Sequence, residues 1–421
     1  MIDIMWRKGL NAMSKKRLNK KKVLLITPGM FPVPAVSGGA VETLITNLLD
    51  VNEKQKKVSF ILTSVFDKKA AVKKYHDSKI YYFKNGILKN HKVFFLLCAF
   101  RWIIFRLANK MHEKGKANKN KRPIGFFVFQ HFCIAKKEKV DIVVLENISN
   151  LEVYSLLKDL VGEDNIYNHL HWVRIGKINE RQAIPNSISS GEYGKREWVK
   201  EKPDYGKNLV LYDGINVNDF SKPLNNRSVE REKLGFSDQD IVVLFCGRFL
   251  QIKGISQLLD AFDKIKNVSN IKLLLIGSAQ YSKNIITEFS KEIIEIATQM
   301  ENVVYLGYIP NEEMPKYYAL SDILTVPSTG HEAAGLVAIE GMATGLPLII
   351  TQSGAMVEYV SDECAIKLPI DSELSNNLAK SIIELSENAS LREKMGEAGK
   401  KRANLFSAEN FYNNFVENID G

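Results

Sequence analysis

A chain of 421 residues is longer than one hydrophobic core usually serves, and 45% hydrophobic with 25% charged residues is the make-up of a folded globular protein, which excludes a disordered or fibrous one. The four cysteines, Cys98, Cys133, Cys246 and Cys364, form no CxxC or CxxH pair, which argues against a disulfide framework or a zinc site and fits a reducing cytosol. The net charge of +10 is unevenly spread: through residue 215 there are 39 Lys and Arg against 20 Asp and Glu, and beyond it 19 against 28. A basic first half points to an anionic partner, and by charge alone a nucleic acid, an anionic membrane surface and a pyrophosphate-bearing acceptor all qualify.

Residues 1–21 read as a basic N-terminal extension without the apolar segment or small-residue cleavage site of a secretory leader, so a cytoplasmic location is expected. Val23–Thr27 (VLLIT) is a buried-strand signal. It runs through Pro28 to Gly39 into a helical stretch from about Ala40 to Leu49. Prolines hold that loop extended, and the pair Gly38–Gly39 ahead of a helix lets the backbone approach a phosphate or a sugar; many such pairs are only turns. Ser59–Thr63 is the next strand candidate.

Residues 64–140 are the least regular part, with a basic stretch at Lys110–Arg122 and a very apolar one, Val93–Ala108 (VFFLLCAFRWIIFRLA). Sixteen residues with two arginines are too short and too charged to span a bilayer. Two readings stay open, a buried helix of the first domain and an interfacial helix with Trp102 and the phenylalanines at the acyl boundary. Arg101 and Arg106 do not share one tight face, which weakens the second.

Strand signals follow at Ile142–Leu145 and Leu209–Tyr212. Between them, His169 and His171 (NHLHWV) offer imidazoles for acid–base work or sugar orientation, although a histidine at a strand end is more often a structural hydrogen-bonding residue. A seam is expected between Asp213 and Asp238, where Asn, Ser, Pro and charged residues cluster.

The second half repeats the strand–turn–helix rhythm: Ile241–Cys246, then Gly247 to Gly254, then an amphipathic helix from Ile255 to about Ile265, with strands at Lys272–Ile276, Val303–Leu306, Ile323–Val326 and Leu348–Thr351. Two Rossmann-like α/β domains follow. Arg248 and Lys253 flank the turn GRFLQIKG at the carboxyl edge of a strand, where a guanidinium and an ammonium grip a diphosphate, or else are two solvated cations. In PSTGHEAAGLVAIEGMATGLPLIIT, Glu332 precedes a helix beginning near Gly335–Leu336, whose first N–H groups make an anion site without a metal. Glu340, about one and a half turns further in, is placed to accept from ribose hydroxyls. The DQD at 238–240 lies ahead of a strand, the wrong setting for a divalent cation, so no metal is expected. Neither domain opens with a G-x-G-x-x-G turn, which removes a dehydrogenase, and no RNA- or DNA-binding signature accompanies the basic half, so no nucleic-acid partner is expected.

The segments FPVPAVSGGAVETL, DIVVLEN, NLVLYDGINVNDF, FCGRFLQIKGISQLLDAF, LLLIGSA, VVYLGYIP, DILTVPS, HEAAGLVAIEGMATGLPLIIT and LFSAENFYNNFVENI occur in an order and spacing that resemble retaining glycosyltransferase family 4, of the bacterial polysaccharide and glycolipid type. The likeness covers nearly the whole chain apart from residues 1–20 and about 64–140. It implies the GT-B fold: two Rossmann-like domains facing across a cleft, acceptor domain 22–215 and donor domain 216–403, with residues 404–421 as a helix packing back on the first domain.

It further implies that Arg248 and Lys253 hold the donor diphosphate, Glu340 the ribose and Glu332 the transferred sugar, with the Gly335–Leu336 backbone beside the phosphate. Gly38 and Gly39 close over the donor, Tyr308 and Ile309 meet the base, and His171, with His169 as the alternative, is the active-site histidine. Ala334 stands where a larger residue is common, and Asp213 replaces the usual Asn before Gly214, a change expected to affect only a turn. The implied activity is retaining, metal-independent transfer of a hexose from a nucleotide diphosphate sugar, a UDP-sugar by preference, with no further cofactor. The implied acceptor is a lipid-linked saccharide or growing surface polysaccharide, met peripherally at the inner face of the cell membrane. A catalytically silent GT-B protein with a structural or partner-binding role is the alternative.

Overall fold

The structure, a computed structural model, describes residues 20–420 except 37, 86, 90–91, 114–124, 148–150, 172–183, 185, 202–205 and 280–286. The basic extension before residue 20, most of Lys110–Arg122 and Trp172 therefore lie outside the described residues.

The first half builds an eight-stranded sheet from β1 (Lys22–Ile26), β2 (Ser59–Val65), β3 (Ser78–Lys84), β4 (Ile87–Leu88), β5 (Ile142–Glu146), β6 (Ile166–Leu170), β7 (Asn186–Ser189) and β8 (Asn208–Val210), in the order β4-β3-β2-β1-β5-β6-β7-β8. Only the short β4 runs antiparallel to its neighbour. Leu24, Leu25, Val143, Val144 and Leu145 are wholly buried, as continuous apolar runs must be when helices cover both faces of a parallel sheet. Four helices matter below: α1 (Ala40–Gln55), α2 (Lys92–Glu113), α3 (Phe126–Glu138) and α4 (Glu192–Glu201).

The second half forms a six-stranded, all-parallel sheet from β9 (Ile241–Cys246), β10 (Ile271–Ile276), β11 (Val303–Gly307), β12 (Ile323–Val326), β13 (Leu348–Thr351) and β14 (Ala365–Leu368), ordered β11-β10-β9-β12-β13-β14. Its helices include α5 (Ile255–Lys264), α6 (Leu336–Thr344) and α7 (Met356–Tyr359), and the chain ends in α8 (Ala408–Asp420). Strand order reverses at β1/β5 in one sheet and β9/β12 in the other, and ligands of open α/β sheets bind outside the carboxyl ends of the strands at such points.

The tail returns to the first domain. Phe411, Tyr412, Phe415, Val416 and Ile419 of α8 share a core with Val23, Leu25, Leu44 and Phe60, and the Tyr412 hydroxyl donates to Asn52 Oδ1 at 2.6 Å. A second tie joins the two halves. The Glu358 carboxylate of α7 accepts from the backbone N–H groups of Glu192 (2.7 Å) and Tyr193 (2.6 Å), capping the start of α4, and the Tyr359 hydroxyl accepts from Asp213 N at 2.9 Å. Gly191 has room for no side chain there, since a Cβ would stand 2.8 Å from Glu358 Oε2.

Nine expected strands are present, β9, β12 and β13 with the expected bounds and six with shifted ends, and five others were not anticipated. β6 (IYNHL) and β7 (NSIS) carry polar side chains that are nonetheless buried, so they lack the apolar run by which an interior strand is recognised. β3 lies toward the sheet edge, β4 has two residues and β14 four.

Candidate active site

On the second domain, Arg248 lies just past the end of β9 and lines an open cleft, together with Thr43 of α1, Gly214, Tyr308, Leu336 and Glu340. Ile309 lines it too. Residues of both domains thus face one space at the carboxyl edges of both sheets, where Arg248, Tyr308, Ile309, Leu336 and Glu340 were expected to meet.

The turn after Arg248 is dictated by packing. Gly254 has φ +69°, and a Cβ on it would lie 1.8 Å from the Pro327 carbonyl oxygen, so only glycine brings this loop against the β12 exit. The close approach sets Lys253 Nζ 2.6 Å from Glu332 Oε1, and the Ser328 hydroxyl donates to the same oxygen. Glu332 is fixed from behind: its N–H donates to Ser353 Oγ at 3.2 Å and its carbonyl accepts from Ala355 N at 2.7 Å. The two residues expected to touch diphosphate and sugar are therefore one ion pair.

Helix α6 begins at Leu336 after Gly335, and the Gly335 carbonyl accepts from Ile339 N at 2.8 Å. Leu336 and Val337 bring its N-terminal turn to the cleft, the end of a helix that favours anions. One turn on, Glu340 receives a hydrogen bond from the Tyr318 hydroxyl, which lies 3.1 Å from Cys246 Sγ. Burial pushes the Glu340 carboxyl up to about 7, against the lowering effect of the Tyr318 bond. Tyr318 was not foreseen as a site residue; nothing in MPKYYAL distinguishes it from a core tyrosine.

On the first domain, Gly38 (φ +79°) and Gly39 (φ +100°) lead into α1. A Cβ on Gly38 would meet the Tyr308 hydroxyl of the other domain at 3.5 Å, and one on Gly39 would stand 2.3 Å from Glu42 Oε2. Glu42 is buried and its pKa is raised by that burial, offset in part by backbone N–H groups and by His171.

His171 sits in a buried polar cluster at the carboxyl ends of β5 to β8. Its Nε2 is 2.7 Å from Glu146 Oε2, His169 Nδ1 is 3.0 Å from the same oxygen, and the two imidazole centroids are 4.0 Å apart. Burial raises the Glu146 carboxyl, but the two histidines outweigh it and hold it at about 2. Asp213 lies within the field of this cluster; burial pushes it up to about 6, with His171 and a Ser190 hydrogen bond pulling the other way. Asp213, expected to affect only a turn, is a buried carboxyl within electrostatic reach of His171 and Glu146. Among the described residues, Glu146, His169 and His171 are the one grouping whose donor atoms, all within 4.8 Å of one another, have the spacing of a metal-ion site, and it was not anticipated.

Residues 226–402, within the second domain, match the family described as Glycosyl transferases group 1. The chain carries a group 1 glycosyl transferase domain. A glycosyltransferase of Methanocaldococcus jannaschii is 30% identical over 37% of this chain and only 38% of its own length. Spore coat protein SA of Bacillus subtilis is 23% identical over 91% of this chain and 94% of its own. The fold carries through at full length: a glycosyltransferase from Rickettsia africae superposes with a TM-score of 0.72 at 19% identity, covering 96% of this chain and 98% of its own. Anabaena HepE, solved in complex with UDP-glucose, gives 0.68 at 18% identity over 95% and 99%. The two-domain architecture with its returning helix is GT-B.

Proposed function

We propose that the protein is a retaining, metal-independent glycosyltransferase that moves a hexose from a nucleotide diphosphate sugar, a UDP-sugar by preference, to a lipid-linked saccharide or growing surface polysaccharide. The observation that carries this reading is the cleft shared by Arg248, the N-terminal turn of α6 and Glu340, with Gly38 facing Tyr308 across it. A guanidinium and aligned amide N–H groups stabilise charge that develops on a departing diphosphate, the task a divalent cation performs elsewhere. Glu340 takes the ribose hydroxyls and Tyr308 with Ile309 the base. Glu332, already oriented by Lys253, Ser328 and Ser353, takes hydroxyls of the transferred sugar while Lys253 shares its charge with the diphosphate. A uridine donor is supported by the UDP-glucose complex of a protein with the same fold.

His171, which does not line the cleft, is given the role of active-site histidine on the acceptor side. The Nε2–H donates to Glu146, which leaves Nδ1 as the atom that accepts from a sugar hydroxyl. Acceptor attack and donor departure then occur on one face, the phosphate taking the acceptor proton.

The test is release of nucleotide diphosphate from a panel of nucleotide sugars, with thermal shift reporting which donor binds. Release by the native chain that falls about tenfold or more in both Arg248→Ala and Lys253→Ala supports the reading. Near-normal turnover in both variants rejects the roles given to these residues. A folded chain that releases nothing from any donor is the silent GT-B protein instead, and a strict requirement for added magnesium or manganese overturns the metal-free mechanism.

A further inference from the structure

The apolar run Val93–Ala108 plays no part in the donor site, and the structure divides it in two. One side of α2 is packed: Phe94, Cys98 and Trp102 join Phe126, Phe129 and Cys133 of α3, with the Trp102 and Phe126 rings 5.4 Å apart. The other side carries Leu96 (65% exposed), Leu97 (51%), Phe100 (64%), Ile103 (51%) and Ile104 (51%). At about 100° per residue these five fall within an arc of about 120°. Arg101 stands at one border of that arc and Arg106 at the other, both exposed, the Arg106 guanidinium lying 5.1 Å from the Trp102 ring centroid. The two arginines that share no face thus bracket one. A helix apolar all round is ordinarily hidden all round. Here one half is hidden, and single scattered apolar side chains, which any surface has, do not account for five together.

We propose that this face of α2 docks the protein in the plane of an anionic lipid bilayer, its five apolar side chains at the acyl boundary and the bracketing arginines among the headgroups. The proposal deepens the acceptor half of the functional reading, naming the surface by which a membrane-borne acceptor is approached; it does not depend on the donor chemistry. Charge selects the occupant. Exposed Lys136, Lys137 and Lys139 at the end of α3 add to the basic rim, with Lys137 Nζ 4.1 Å from the Phe94 ring centroid. The half of the chain to which the face belongs has 39 basic against 20 acidic residues. A second copy docked by the same face would set arginine against arginine, because a two-fold contact is self-complementary. No helix among the described residues is long and apolar enough to cross a membrane, so the helix lies in the interface rather than through it.

Vesicle co-sedimentation of the full chain tests this, using phosphatidylcholine vesicles with and without phosphatidylglycerol at low and high salt. The native chain is expected to bind the anionic vesicles and to bind neutral ones, or anionic ones at high salt, about tenfold more weakly. Phe100→Asp with Ile104→Asp is expected to lose about tenfold or more, and Arg101→Glu with Arg106→Glu to abolish the preference for anionic lipid, both with unchanged nucleotide release in solution. Should the aspartate pair unfold, the arginine pair, whose side chains are exposed, carries the test. Failure of the native chain to bind either vesicle, or equal binding by all variants, overturns the proposal. So does a native dimer in light scattering that the aspartate pair dissociates. Vesicle binding without nucleotide release would leave the docking surface standing and remove the transferase reading alone.

Discussion

The two sheets present their carboxyl edges to one cleft but furnish them differently. On the second domain the site residues come from turns and a helix tip placed by glycine: Gly254 lets Lys253 reach Glu332, and Gly354 at φ +54° packs where a Cβ would lie 2.1 Å from the Glu332 carbonyl oxygen. On the first domain they are the last residues of strands and the points just beyond: Glu146 of β5, His169 of β6, His171 and Asp213. The second domain's edge carries partly exposed charges, the first domain's a buried polar cluster. The two edges are built from the same residue types and differ in burial: the Lys253 and Glu332 side chains are 24% and 18% exposed, those of Glu146 and His169 1% each.

That contrast breaks if the first edge can be disturbed without loss of fold. Glu146→Ala removes the partner of two buried imidazoles and is expected to cost about 3–5 kcal/mol of stability by chemical denaturation. A loss near zero would mean that the cluster is not a network at all. On the donor edge the effect should fall on turnover instead: Arg248→Ala is expected to lower nucleotide release by about 10²–10³ while leaving the unfolding midpoint unchanged.

Glu340 sharpens the comparison because it lines the cleft and is only partly buried, unlike Glu146 and His169. Its folded pKa of about 7 lies above the ordinary 4.5, so its contribution to stability is whole below pH 4.5 and is lost as pH rises through 7. Glu340→Gln removes the ionisation, and the stability of the unliganded variant relative to the native chain should rise by about 2 kcal/mol between pH 5 and pH 8. No change across that range would place the carboxyl in water. The smallest effect is expected at Lys253→Ala. Its partly exposed pair with Glu332 contributes about 1 kcal/mol or less to stability, so turnover, down about tenfold, should move more than the midpoint.

Most of the donor side could be read along the chain because its chemistry is local: strand, glycine turn and helix tip follow one another within a few residues, as in Ile241–Ile255 and Pro327–Glu340. The acceptor side could not. Glu146 and His171 lie 25 residues apart and meet only because β5 and β6 are neighbours, and Asp213 joins them from beyond β8. The signal that existed was polar residues in otherwise extended segments, NHL and NSIS, which a search for apolar runs passes over. Tyr318, the donor to Glu340, is equally silent in sequence, its role set by where its helix packs.

Local order by itself determined two α/β domains and the returning tail, and singled out Arg248, Tyr308, Ile309, Leu336 and Glu340, which line the cleft, because strand runs, helix periods and obligatory glycines act over neighbouring residues. Tertiary structure alone decided which charges are sheltered and which face of α2 is left open. Burial depends on what the rest of the chain brings alongside: α3 covers Phe94, Cys98 and Trp102, and nothing among the described residues buries Leu96, Phe100 or Ile103.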